Sequence, residues 1–249
     1  MINGLREIYA ISWSDLRFLR HNFKSVVIMS MMSPLLYLIA FGYGLGDGLT
    51  TEGVPYIAFI IPGIAALSSL SSSFSATSTR LNVQRLYYGC FDVLVMCPVS
   101  IGSMVIGKSI IGVVRGLISS SIIFALGLML ASELRLTPWF ILSMLVSCLT
   151  FSLLGVTAAL LAKSHQSMST FSSLIVLPMT FLCGTFFSLS HMPEFIKYLL
   201  YVLPLTHSSA AMRASALGWD FPLASLAVLI CFCAAFFLIN IHLIKTRKA

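Results

Sequence analysis

A chain of 249 residues that is 58% hydrophobic and 9% charged, with a mean hydropathy of +0.98, has too much apolar surface for one small soluble core. The net charge of +7 suggests nucleic acid, but the basic residues are scattered and lie at the ends of apolar stretches, where they set orientation in a membrane. No polar stretch is long enough for a nucleotide-binding fold. The six cysteines show neither a disulfide framework nor a metal-ligand spacing.

The first 23 residues read as an amphipathic helix at the membrane interface. Leu5, Tyr9, Leu16, Leu19 and Phe23 recur at helical spacing with Trp13 nearby, and Arg6, Glu7, Asp15, Arg17 and Arg20 supply a charged face. A short soluble helix leading into the first span is the alternative. The charges running through Lys24 argue against a cleavable signal peptide. Between Lys24 and Asp47 there is no charged side chain, enough for a helix across roughly 30 Å of hydrocarbon. Further apolar windows predict six spans, at about 25–45, 55–77, 102–130, 138–161, 168–188 and 222–243. The expected fold is therefore an all-α polytopic membrane protein, one transmembrane domain over 1–249. With both termini in the cytoplasm, 11 Lys and Arg fall inside (Arg6, Arg17, Arg20, Lys24, Arg80, Arg85, Lys108, Lys163, Lys245, Arg247, Lys248) and three outside (Arg135, Lys197, Arg213). The opposite topology reverses that ratio, so the positive-inside rule favours the first.

Three places depart from plain spans. The inner loop after span two carries Arg80, Arg85, Tyr87, Tyr88 and Asp92 among apolar positions that can form a helix along the membrane face, and Pro98 ends it. A charged, aromatic loop with a sharp exit suits docking of a cytoplasmic partner; an ordinary solvated loop has the same composition. Arg115 lies inside span three, where a charge costs several kcal/mol unless it pairs, snorkels or faces water. It reads either as lining a translocation path or as a structural contact. After span five, two short apolar pieces separated by Pro204 are each too short to cross, and together they predict a re-entrant outer hairpin. It would bring Glu194, Lys197, His207 and Arg213 to an outer vestibule or anchor them to headgroups. The hydroxyl-rich end of span two, Ser68 to Thr79, reads as close helix packing before it reads as a polar conduit.

Chemistry of other kinds has no carrier. The chain has no zinc-protease motif, nucleophile elbow or phosphate loop, so no catalytic residue and no metal site are assigned. Gly42, Gly44 and Gly46 end an apolar helix instead of opening one after a strand. A secondary transporter is the main competing class, but it needs paired ionisable groups near mid-membrane, and span three offers Arg115 alone.

Four stretches carry a resemblance: Asn22-Phe23 with Phe41-Gly42-Tyr43-Gly44-Leu45-Gly46; Phe91-Asp92-Val93-Leu94 with Cys97-Pro98-Val99-Ser100; Phe181-Leu182-Cys183-Gly184-Thr185-Phe186-Phe187 with Met192-Pro193; and Leu203-Pro204-Leu205-Thr206-His207 with Arg213 and Leu217-Gly218. Together they resemble the permease subunits of ABC-2-type exporters, in the branch of the nodulation lipo-oligosaccharide and daunorubicin-type drug exporters. The resemblance implies six spans, an interface helix, a coupling helix within about Arg80 to Pro98, and a re-entrant hairpin within about Pro193 to Gly218. It also implies an inner-membrane homodimer of permeases surrounded by lipid, working with two copies of a cytoplasmic ABC ATPase. ATP and Mg would sit on that partner, with no cofactor on this chain and no nucleic acid bound. The cargo would be amphipathic, lipid-linked or hydrophobic. Asp92 stands where the family often has Glu.

Overall fold

The computed structural model describes residues 2–44, 50–187 and 193–248. Leu45, Gly46, Asp47 and Met192, which the sequence places at the exits of spans one and five, lie outside the described residues.

Helix α1 (Ile2–His21) is followed by α2 (Phe23–Tyr37), whose last turns loosen into a π segment, Leu38–Tyr43. A two-residue hairpin pairs β1 (Thr50–Thr51) with β2 (Val54–Pro55). Its turn takes Glu52 (φ 53°) and Gly53 (φ 82°) into the left-handed region, as a tight hairpin of this length requires. Then come α3 (Tyr56–Leu86), α4 (Cys90–Met96), α5 (Ile101–Leu130) and α6 (Pro138–Leu161). Helix α7 (His165–Phe171) passes through a π segment, Ser172–Val176, into α8 (Leu177–Leu182). Short α9 (Glu194–Tyr201) and α10 (Pro204–Leu217) precede α11 (Leu223–Lys248).

Among the described residues, Phe23–Gly42, α3, α5, α6 and Leu223–Thr246 are long and apolar enough to cross a membrane. Span four was expected at 138–161, the range of α6. Span two was expected to end at residue 77, but α3 continues to Leu86. The added turns are held by Arg80, Gln84 and Arg85, whose side chains bond to Asp15 and to the end of α6. The fifth predicted span, 168–188, is the most altered. It is the mixed α/π run from His165 to Leu182, which ends at a bend where Gly184 takes φ 69°.

The core is built around α3. Its apolar window is 89% buried, against 17% for the Phe23–Gly42 and Leu223–Thr246 helices. Phe59, Ile60, Ile61, Ile64, Leu67, Leu70 and Phe74 of α3 pack with Phe124 of α5 and Phe140 and Phe151 of α6. The Phe124 and Phe140 rings stack at 3.8 Å. Small residues bring these helices close enough for interhelical hydrogen bonds: Ser68 to Ser119 at 2.6 Å, Thr77 to Ser152 at 2.7 Å, and Ser120 to the Ala65 carbonyl at 3.0 Å. Packing thus accounts for the hydroxyl-rich stretch. A second apolar cluster at the other end of the bundle joins Leu81, Phe91, Val105, Leu153, Val156 and Ile244.

Candidate functional site

Helix α4 is set off from α3 by Gly89, whose φ of 63° turns the chain through a left-handed residue, and its inner face is held by Phe91, buried in the second cluster. With one aromatic fixing the helix, the opposite face is free to project. Tyr87, Tyr88, Asp92 and Val93 are exposed, and Met96 is 85% exposed. Asp92 lies in the first turn of α4, where a carboxylate complements the helix dipole. Among the five predicted coupling residues, Tyr87, Tyr88 and Asp92 form this outward patch, and Val93 and Met96 extend it.

Arg80 and Arg85 turn the other way. As residues of α3 they lie on a helix and not in a loop, five positions apart. Arg85 reaches the carbonyls of Ala159, of Leu160 at 3.0 Å and of Ala162 at 2.8 Å. These belong to the last turn of α6, whose carbonyls lack partners within the helix, so Arg85 is its C-terminal cap. Arg80 donates Nε–H to Asp15 Oδ1 at 2.9 Å and stacks its guanidinium 4.3 Å from the Phe18 ring.

Asp15 is the centre of a buried polar knot that the sequence analysis did not anticipate. It is 0% exposed and also accepts Gln84 Nε2–H at 2.8 Å and Lys108 Nζ–H at 3.2 Å, while Lys108 donates to Gln84 Oε1 at 2.8 Å. One carboxylate therefore joins α1, α3 and α5. The expected faces of α1 are corrected accordingly: Asp15 lies with Ile11 and Leu19 on the buried face, while Leu5, Tyr9 and Trp13 face outward. The spacing i, i+4, i+8 of Ile11, Asp15 and Leu19 carried that signal. Gly107 permits the approach, since a Cβ there would lie 2.8 Å from Ile11 Cγ2. Nearby, Glu7 accepts the Ser100 N–H at 3.2 Å at the start of α5. Hydrogen bonds from the Ser103 side chain and the Ser100 backbone hold its carboxyl below the usual range.

The outer residues do not form one site with Arg115. Arg213 of α10 is buried over the Phe59 ring, 3.8 Å from its centroid, at the first turns of α3. It donates to the Phe59 carbonyl at 3.0 Å, to Gly184 at 2.8 Å and to Thr185 at 3.3 Å. The bonds to Gly184 and Thr185 satisfy carbonyls of the bend after α8. Gly63 leaves room for this, because a Cβ there would meet Thr185 O at 2.7 Å. His207 donates Nε2–H to the Tyr201 carbonyl at 2.8 Å and Thr206 its hydroxyl to Leu200 at 2.6 Å, so α10 caps α9. Glu194 is exposed in the first turn of α9. Arg115 lies far from all of these, donating Nε–H to Ser30 Oγ of α2 at 2.8 Å. Its cavity borders α3 at Ser75 to Val83, which at 1.5 Å per residue is about 24–36 Å along the helix from Phe59.

The model of the family described as ABC-2 type transporter matches residues 6–217. The chain is 27% identical over 242 residues to the inner membrane transport permease YadH of Escherichia coli K12, covering 92% of each protein. It is likewise 27% identical over 257 residues to nodulation protein J of Rhizobium meliloti strain 1021, covering 96% of this chain and 95% of that one.

Proposed function

We propose that this chain, which belongs to the ABC-2 type transporter family, is the permease of an ATP-driven exporter that moves an amphipathic, lipid-linked or hydrophobic molecule out of the cytoplasm or inner leaflet. It is a multi-pass inner-membrane transport component. In the proposed assembly two copies pair in the membrane with both termini cytoplasmic, and two ATPase subunits bind the face that carries α4. ATP and Mg reside on those subunits. The observation that carries this reading is α4 itself: a seven-residue helix anchored through Phe91 with Tyr87, Tyr88, Asp92, Val93 and Met96 projecting. An exposed aromatic and apolar patch with one acidic group suits a protein partner better than water.

A secondary transporter needs paired ionisable groups within the membrane. The Arg80–Asp15 and Lys108–Asp15 ion pairs lie at the α4 end, which favours a mechanical over a proton- or ion-coupled device. The experiment is affinity capture of the full-length chain from its native membrane, followed by mass spectrometry and an ATPase assay. The expected result is a Walker-motif ATPase in the eluate, lost from Asp92→Lys and Met96→Glu variants that keep the parent's melting midpoint. Capture that is indifferent to both substitutions overturns the assignment of α4. Absence of any ATPase in several detergents overturns the exporter reading.

A further inference from the structure

Arg115 is the fifteenth residue of the 30-residue helix α5, the middle of a membrane span. A guanidinium has five N–H donors and no acceptor. The Nε–H reaches Ser30 Oγ, a neutral partner whose own proton goes to the Val26 carbonyl at 2.7 Å. Among the described residues no carboxylate pairs with Arg115; Asp15 pairs with Arg80 and Lys108. An unpaired charge at this depth costs several kcal/mol unless something anionic or aqueous meets it.

What meets it is a cavity of about 420 Å³ between α1, α2, α3 and α5. That volume lies within the range of small-molecule sites, about 300–1,000 Å³. Arg115 and Arg80 both line it, Ser75 and Thr79 offer exposed hydroxyls, and Val26 and Ile111 are among its apolar walls. Past Arg115 the seam between α2 and α5 closes to about 10 Å³, with Val27, Met31, Ile118 and Ile122 packed along it. Charge around the cavity is unbalanced, because Asp15 must serve both Arg80 and Lys108. Arg80 thus shares its carboxylate with Lys108 and Arg115 has none, so the wall keeps a net positive charge. A cationic ligand would be repelled there, and a purely apolar one would strip water from Arg115 and return nothing.

We propose that this cavity binds an amphiphile with an acidic headgroup, the head held between Arg80 and Arg115 and the tail lying against the apolar walls at Val26 and Ile111. That the occupant is exported cargo rests on the permease reading; the binding chemistry does not. A bilayer phospholipid and a single-chain cargo share the headgroup chemistry, and competition separates them.

The test uses the full-length chain in dodecyl maltoside with no ATPase present, so that its failure is independent of failure to capture an ATPase. Dodecyl phosphate and dodecyltrimethylammonium have the same tail and opposite heads. Each is titrated below its micellar concentration, with retention read by native mass spectrometry and by the melting midpoint. The expected result is saturable retention of one dodecyl phosphate and none of the cation. Arg115→Gln weakens it about tenfold or more, the loss of one charge-assisted contact, and Arg115→Lys keeps most of it. Thr79→Trp fills the cavity from an exposed position without touching Arg115 and also abolishes retention, which keeps the proposal testable if Arg115→Gln fails to fold. Displacement by added phosphatidylglycerol identifies a leaflet lipid as the occupant, and resistance to it identifies a single-chain cargo. Equal retention of the anionic and cationic amphiphiles, or retention indifferent to both Arg115→Gln and Thr79→Trp, overturns the proposal.

Discussion

Replacing Asp15 by Asn tests whether the interface helix is held to the membrane domain by charge. The wild-type carboxylate accepts three hydrogen bonds, from Arg80 at 2.9 Å, Gln84 at 2.8 Å and Lys108 at 3.2 Å. Removing one partner of a buried ion pair costs about 3–5 kcal/mol, chiefly because the other charge is stranded. Here the stranded groups differ. The Lys108 side chain is 10% exposed and keeps only Gln84 Oε1. The Arg80 side chain is 28% exposed and keeps its stack on Phe18, so water screens part of its loss. Asp15→Asn should therefore cost about 3 kcal/mol, at the low end of that range. Lys108→Met leaves Asp15 two good donors and should cost about 1–2 kcal/mol. The double variant strands no deeply buried cation and should cost only about 2 kcal/mol, a coupling near 2–3 kcal/mol. Melting midpoints of the four proteins in one detergent measure this, at roughly 2–4 °C per kcal/mol for a chain of this size. Additivity of the two substitutions within about 0.5 kcal/mol would refute the reasoning, because it would mean that Lys108 and Asp15 do not interact.

Three further outcomes follow from single contacts. Arg213→Lys keeps the charge but replaces a planar fork serving three carbonyls with one point donor, and should lower the melting midpoint by about 6–12 °C, for a loss of about 3 kcal/mol; a shift under about 2 °C would show that those bonds carry nothing. Arg85→Met uncaps the last turn of α6, and hydrogen exchange at Leu160 to Ala162 should rise while the centre of α6 stays protected. Glu7 has its carboxyl held low by Ser103 and Ser100, so its stabilisation is present above the ordinary carboxylate range and is lost as pH falls through its folded value. The melting midpoints of wild type and Glu7→Gln should differ at pH 7 and converge as pH falls below the ordinary carboxylate range and through the lowered folded value; a gap that persists after the carboxyl is protonated would show that the charge is not what Ser100 binds.

The fold class was legible because long apolar windows are a bulk property. What stayed hidden was the direction of individual polar side chains. Arg80, Arg85 and Asp92 have equal standing in a sequence, yet only Asp92 points outward, because α3 runs on to Leu86 and presents one arginine to α1 and the other to the end of α6. Asp15 looked like part of a solvated face because its partners lie 65 to 93 residues away. Periodicity does find such a residue when an acid shares a stripe with Ile11 and Leu19. Arg115 and Arg213 looked alike as membrane arginines. Arg213 is satisfied by a bend that no local pattern announces, and Arg115 has only the neutral hydroxyl of Ser30.

The uneven distribution of these ties bears on where the chain can move. Helices α1, α3, α4, α5 and α6 are joined at one end by the Asp15 knot, the Arg85 cap and the Phe91 anchor, and α3 is buried along its length. By contrast α2 and the α7–α8 run each contain a π segment, and that of α7–α8 buries none of its side chains fully. Irregular turns of this kind recur at functional sites in helices. On the proposed function, a push delivered at α4 cannot be absorbed locally, so the joined block moves as a unit against α2 and α7–α8. The Arg115 cavity lies on that seam, and the hydrogen bond from Arg115 on α5 to Ser30 on α2 is the polar tie across it. An anion held by Arg115 competes for the donors that face Ser30. Opening the seam and changing the occupancy of the site then become one event, which is the linkage an exporter requires between its motor and its cargo.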